Sequence, residues 1–192
     1  MGKFIKTALE PFDEVLIITC KEFPDERGYF SEYFNQSAFQ EVSGNATTFV
    51  QDNFSLSRKW VLRGLHFQKK PFTQAKLIRV LRGGIFDVVV DLRKKEKTFG
   101  KWAGVRLDEF DNKMLYVPEG FAHGFLALSD KTELLYKCST YFNKDAERTL
   151  CWSDNTISIS WPPEIPVSSL IISEKDKKGL SLDRLLELDE LF

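Results

Sequence analysis

The chain has 192 residues, enough for one sizeable core and too few for two average domains, so a single domain over 1–192 is expected. Hydrophobic residues make up 43% of it and phenylalanine alone occupies 17 positions, which excludes a disordered chain. The formal net charge of −1, with basic and acidic residues interleaved, excludes the broad positive field of a nucleic-acid binder and leaves any anionic ligand to be held by local groups.

Along the chain, short β-prone runs alternate with turn residues. The expected strands are Val15–Cys20, Tyr29–Phe34, Thr48–Phe54, Val61–Phe67, Ala75–Leu81, Ile85–Asp91, Lys113–Val117, Phe125–Leu128 and Leu134–Phe142. Helical patterning is confined to a piece near Ser37–Val42 and to the tail. There Leu182, Leu185, Leu186 and Phe192 would form one apolar stripe behind Ser181 as N-cap. Turn signals stand at Arg82-Gly83-Gly84, which reads as a tight hairpin, at Asp111-Asn112 and at Pro118-Glu119-Gly120. Such a chain must close its sheet or stack two sheets. The expected fold is all-β, a cupin-like jelly-roll barrel with short peripheral helices, its mouth free for a ligand.

The start of the chain carries no apolar segment of signal-peptide or membrane-spanning length, and Met1-Gly2 lacks the Ser or Thr at position 6 that myristoylation prefers. No membrane association is expected. Cys20, Cys138 and Cys151 are odd in number and lack metal-type spacing, which argues for a reducing compartment, the cytoplasm. The sequons at Asn35, Asn45 and Asn53 are then chance matches.

Only two histidines occur, so each is a candidate acid or base. His66 lies in Val61-Leu62-Arg63-Gly64-Leu65-His66-Phe67-Gln68, and His123 in Gly120-Phe121-Ala122-His123-Gly124-Phe125. Strand alternation groups Leu62, Gly64, His66 and Gln68 on one face and Arg63, Leu65 and Phe67 on the other. Arg63 and His66 can therefore share a pocket only if the strand bends or bulges at Gly64.

Jelly-roll metal sites commonly use a His-x-His pair, but Gln68 follows His66 by two, and two histidines cannot supply a three-histidine site. A mixed site with carboxylates is the weaker alternative, so neither metal nor other cofactor is expected. None of the cysteines has a neighbouring histidine in sequence, which disfavours a thiol nucleophile. What remains is proton transfer. Lys76 and Tyr136 lie inside apolar β runs, where a lysine is costly unless its ammonium meets a polar cavity or a partner. Singly, each has a plainer reading: a core tyrosine, a snorkelling lysine, a structural imidazole.

Taken together, Phe23-Pro24-Asp25-Glu26-Arg27-Gly28-Tyr29-Phe30, Phe49 to Ser55, Leu62 to Gln68, Lys76-Leu77, Gly84 to Arg93, Val117 to Phe125, Tyr136-Lys137-Cys138 and Ile172 to Asp176 resemble, in order and over nearly the whole chain, the dTDP-4-dehydrorhamnose 3,5-epimerases. The resemblance implies a homodimer that exchanges N-terminal strands, no cofactor, and a dTDP-linked 4-keto-6-deoxyhexose as substrate. It implies His66 as base oriented by Asp176, Lys76 as stabiliser of the C4 oxyanion and Tyr136 as acid on the other face. By the same resemblance Arg63 and His123 line the sugar pocket. Gln51, Asn53, Glu147 and Lys175 contact the nucleotide sugar, while Arg27 and Glu32 reach into the neighbour's site. Phe142 falls where the family commonly has a tyrosine stacked on thymine, which keeps the aromatic face and loses a hydroxyl. The rival readings are a 3- or 5-monoepimerase of a related keto sugar, a non-catalytic cupin that binds a nucleotide sugar, and a metal-dependent cupin.

Overall fold

The computed structural model describes residues 3–164 and 166–192; the Met1-Gly2 start read for myristoylation lies outside them. In chain order the elements are β1 (Phe4–Leu9), β2 (Phe12–Cys20), β3 (Glu22–Asp25), β4 (Gly28–Ser31), α1 (Gln36–Ser43), β5 (Gln51–Ser57), β6 (Val61–Gln68), β7 (Lys76–Arg82), β8 (Gly84–Asp91), β9 (Trp102–Asp108), β10 (Lys113–Val117), β11 (Phe121–Ala127), β12 (Thr132–Cys138), β13 (Glu147–Thr149), β14 (Ile171–Ile172), α2 (Glu174–Lys177) and α3 (Leu182–Glu187).

Two sheets are stacked. One runs β1-β2-β10-β7-β12-β5; the other runs β13-β6-β11-β8-β9, with β14 added beside β6. The period of two explains the layering. On β7, β10 and β12 the residues Ile78, Val80, Leu115, Val117 and Leu134 face inward, and they meet Ile85, Val89, Phe121 and Phe125 from the opposite sheet in one buried cluster. The alternate residues of the first sheet, including Leu77, Met114 and Tyr116, are covered by Phe39 of α1. Those of the second sheet, including Phe67, Val88, Val90 and Ala122, lie under Leu150, Ile157, Leu182 and Leu185 of the C-terminal segment. The all-β, cupin-like expectation holds, with two faced sheets that are not joined by hydrogen bonds into a closed barrel.

Several local expectations change. Arg82-Gly83-Gly84 does not make a hairpin, because β7 and β8 belong to different sheets and do not pair. Gly83, at φ +74°, turns the chain across the gap, so that Val80 and Ile85 bury against each other's sheet. The run expected to Phe142 ends as strand at Cys138, and the one expected to Phe34 ends at Ser31. Strands β1, β3 and β9 were not among the expected runs, although β9 carries a usable alternation in which Ala103, Val105 and Leu107 turn to the core and Gly104, Arg106 and Asp108 stand between them. In the tail, Ser181 caps α3 by accepting the Arg184 N–H at 3.2 Å. Leu182 and Leu185 are buried, and the Phe192 ring packs edge-on to Phe67 at 5.7 Å. Leu186 leaves the expected stripe and faces solvent. The hairpin β3–β4 pairs only with itself and exposes Phe23, Tyr29 and Phe30. No helix among the described residues is long and apolar enough to cross a membrane.

Candidate active site

The site begins with an irregularity on β6. Its register with β11 pairs His66 with His123 and Arg63 with Phe125, so Gly64 and Leu65 together stand opposite the single residue Gly124. The extra residue is a β-bulge. Gly64 sits at φ +124°, and a Cβ there would meet Gly124 Cα at 2.6 Å, so only glycine fits. The bulge puts Arg63 and His66 on the same face, while Leu65 and Phe67 stay on the outer one. The bend at Gly64 that a shared pocket requires is therefore present.

A cavity of about 460 Å³ opens between the sheets. From β6 and β11 it receives Arg63, His66 and His123. From β5, β7 and β12 on the facing sheet it receives Gln51, Asn53, Lys76 and Tyr136. Glu147 and Lys175 supply polar groups at the rim, where Phe142 adds an aromatic ring, and Ile78, Phe125 and Leu134 line the apolar part. Arg63 is braced through Nε to Ser57 Oγ at 3.1 Å and through Nη2 to the Leu56 carbonyl at 3.2 Å.

His66 Nε2 lies 2.6 Å from Asp176 Oδ1, and Asp176 Oδ2 accepts the bulge N–H of Gly64 at 3.3 Å. Ser173 caps α2 by accepting the Asp176 N–H, which fixes the carboxylate from behind. Burial lowers the His66 pKa below its ordinary value of 6.5, and the hydrogen bond to Asp176 only partly offsets this. The imidazole is thus neutral at pH 7, with the proton on the nitrogen facing Asp176 and a lone pair on the other. For Asp176, burial acts upward, but the His66 and Gly64 hydrogen bonds outweigh it and hold the carboxyl below its usual range.

Lys76 is enclosed at the cavity wall, its Nζ 3.4 Å from the His66 carbonyl oxygen. Burial lowers its pKa, opposed by the fields of Cys138, Asp87 and Glu147. Burial also raises the Tyr136 pKa, so its hydroxyl keeps its proton well into alkaline solution. Cys138 lines the same wall, with its thiol pKa raised by burial and Sγ 3.5 Å from Asn53 Nδ2.

His123 is held by a second carboxylate, Asp87 Oδ1, 2.8 Å from its Nε2. Asp87 is fully buried, and its Oδ2 has no hydrogen-bond partner among the described residues. The sequence reading missed Asp87, although an acid in Gly84-Ile85-Phe86-Asp87-Val88-Val89-Val90, in phase with the inward Ile85 and Val89, was a usable signal. It also missed Gln74, Ser55 and Cys138 as lining residues.

At the rim, Phe142 is 55% exposed and Glu147 accepts from Lys175 Nζ at 2.7 Å. Arg27 and Glu32 are not brought into this cavity. Arg27 sits at the β3–β4 turn paired with Asp25, and Glu32 pairs with Lys3 at 2.9 Å. Among the described residues no group of three or more His, Cys, Asp or Glu side chains is gathered as metal ligands would be.

Comparison with known proteins matches residues 10–184 to the family model described as dTDP-4-dehydrorhamnose 3,5-epimerase. The enzyme of that name from Methanothermobacter thermautotrophicus is 52% identical over 176 residues, 91% of each chain. The Escherichia coli K12 enzyme is 47% identical over 184 residues, 96% of each. Among solved structures, dTDP-6-deoxy-D-glucose-3,5-epimerase from Legionella pneumophila in complex with dTDP-4-keto-L-rhamnose superposes with a TM-score of 0.89 at 40% identity, covering 98% of this chain and 96% of the other.

Proposed function

The chain belongs to the dTDP-4-dehydrorhamnose 3,5-epimerase family, and from that premise we propose how its own residues carry out the reaction. It is an epimerase of dTDP-rhamnose biosynthesis that inverts C3 and C5 of dTDP-4-dehydro-6-deoxy-D-glucose to give dTDP-4-dehydro-L-rhamnose. Both carbons are α to the C4 ketone, so each C–H can leave as a proton if the enolate is stabilised. The observation that carries the assignment is that His66 and Tyr136 enter one cavity from opposite sheets, with Lys76 beside them.

His66 takes the proton from one face of the sugar through the nitrogen not bonded to Asp176, and the imidazolium that forms is balanced by that carboxylate. The electron pair of the broken C–H bond moves onto the C4 oxygen, where the Lys76 ammonium meets it. Preorganised donors of this kind lower the barrier by roughly 3–4 kcal/mol. Tyr136 returns a proton to the opposite face of the same carbon, and the new C–H bond has inverted configuration. A phenol whose pKa burial has raised holds that proton until the more basic enolate carbon draws it. Arg63 and His123 orient the sugar. Phe142 stacks on the base, Gln51 and Asn53 face the nucleoside, and Glu147 and Lys175 close the rim.

Arg27, on a hairpin that pairs only with itself, holds an exposed guanidinium against Asp25 and would exchange that partner for a neighbour's diphosphate. We propose a homodimer with exchange of N-terminal strands in which Arg27 and Glu32 complete the partner's site, supported by the exposed Phe23, Tyr29 and Phe30 on that hairpin and its approach. The free thiols of Cys20, Cys138 and Cys151 support the cytoplasm as its compartment.

The test is incubation with dTDP-4-keto-6-deoxyglucose in heavy water. One deuteron each at C3 and C5 with inversion at both carbons is expected. Binding without deuterium entry would instead mark a non-catalytic sugar-binding protein.

A further inference from the structure

The segment that carries Phe142 has almost no backbone support of its own. Thr140, Tyr141 and Phe142 lie beyond the end of β12, and among the described residues none of them makes a backbone–backbone hydrogen bond. Four consecutive residues are held instead by three glutamine side chains. Gln74 Nε2 donates to the Thr140 carbonyl at 2.6 Å. Gln68 Nε2 donates to the Tyr141 carbonyl at 3.3 Å. Gln51 Oε1 accepts the Phe142 N–H at 2.9 Å, and Gln68 Oε1 accepts the Asn143 N–H at 2.6 Å.

We propose that Gln51, Gln68 and Gln74 form an amide cradle that sets the position of the Phe142 ring, making Gln68 and Gln74 positioning residues for nucleobase recognition. The argument rests on the reading of Phe142 as the stacking residue. Side-chain amides suit the task because the segment offers two carbonyls followed by two N–H groups, and an amide carries both a donor and an acceptor. A carboxylate in place of Gln68 would turn lone pairs toward Tyr141 O and toward Phe72 O, which its Nε2 also reaches at 2.7 Å. Gln68 is buried, with all its hydrogen bonds going to backbone, so it is not free to contact ligand. It stands on β6 two residues beyond His66, and Gln74 stands two residues before Lys76. The elements that hold the catalytic groups therefore also set the aromatic platform, which fixes the distance between base site and reacting carbons. An amide does not titrate, so the platform keeps its place across the pH range of the reaction.

The experiment measures dTDP affinity by calorimetry and steady-state kinetics for Gln68→Met, Gln74→Met, Phe142→Ala and the double variants. Methionine keeps the length of glutamine and removes its hydrogen bonds. Each glutamine variant should raise the dTDP Kd and the KM, by about tenfold for Gln68→Met, while kcat stays within about twofold. In the Phe142→Ala background the glutamine changes should add nothing further, because there is no ring left to position. Full additivity in that background, or a fall in kcat at unchanged KM, would overturn the cradle. Unchanged affinity in Gln74→Met, which removes one bond at a half-buried position and spares the fold, would count equally against it. If Phe142→Ala alone leaves the dTDP Kd unchanged, the stacking reading fails and the cradle falls with it; if Phe142→Ala weakens binding and the glutamine variants do not, the cradle alone fails.

Discussion

Asp176 Oδ1 lies 2.6 Å from His66 Nε2 across 110 residues of chain, and the second oxygen of the same carboxylate accepts the N–H of Gly64 in the bulge that aims His66. One side chain thus orients the imidazole through a ring nitrogen and braces the bulge that carries it. Asp176→Asn should lower kcat by about 10²–10⁴-fold. The sign of the pH effect follows from the ionic balance at His66. Burial lowers its pKa and Asp176 opposes that, so removing the negative charge should lower it further. The acid limb of the activity profile, already below pH 6.5 in the wild type, should move to lower pH in the variant. A limb that moves upward would contradict the dyad.

His66→Ala should abolish both inversion and the entry of solvent deuterium at C3 and C5, since it removes the group assigned to take the proton that begins both events. Proton NMR of the sugar in heavy water reads both. Tyr136→Phe should separate the two events. The proton removed by His66 can still exchange, but delivery to the opposite face is lost, so deuterium entry without net inversion is expected. Full inversion in that variant would take Tyr136 out of the mechanism.

The alkaline limb should belong to Lys76. Burial lowers the Lys76 pKa from its ordinary 10.5 and raises that of Tyr136 from its ordinary 10.0, so the two groups shift in opposite senses, the ammonium toward neutral pH and the phenol away from it. The alkaline loss of activity should therefore set in at a pH lower than 10.5, where a free lysine would titrate. Lys76→Met should flatten that limb and lower kcat by roughly 10²–10³-fold. A Lys76→Met enzyme that retains the alkaline limb would reassign it.

Gly64→Ala should destabilise the fold by about 2–4 kcal/mol, because it combines a positive φ with a Cβ placed 2.6 Å from Gly124 Cα. Denaturant unfolding gives the stability. Because relief of the clash must move β6 against β11, the surviving folded enzyme should also lose turnover. Wild-type stability and rate together would show that the bulge tolerates a side chain.

If Arg27 serves the neighbouring protomer, mixing His66→Ala with Arg27→Ala protein after dissociation should restore activity. Mixed dimers hold one site with both groups intact, so about a quarter of wild-type activity is expected at equal amounts. No recovery, or a monomer by sedimentation, would argue against exchange.

The chain's patterning determined a good deal on its own. β-prone apolar runs bounded by turn residues at Val61–Phe67, Ala75–Leu81 and Ile85–Asp91 mark the central strands, because β-branched and aromatic side chains suit a pleated, buried surface. The scarcity of histidine singled out His66 and His123, and an unpaired-looking Lys76 in apolar surroundings singled out the third group. The need for a bend at Gly64 was also legible, since Arg63 and His66 stand an odd number of residues apart. What only the tertiary structure decided are relationships between distant segments. Gly83-Gly84 reads locally as a hairpin, but burial of Val80 and Ile85 on facing sheets sends the two strands apart. Asp87 reads as a break in an apolar run until β11 brings His123 beside it. The three glutamines around residues 140–143 are spread over β5, β6 and the approach to β7, and nothing in their spacing points to a common target. Local sequence fixes periodicity and backbone tolerance, which depend on near neighbours. Which polar groups share a hydrogen bond depends on how two sheets stack, and that is settled by the burial of the whole apolar face at once.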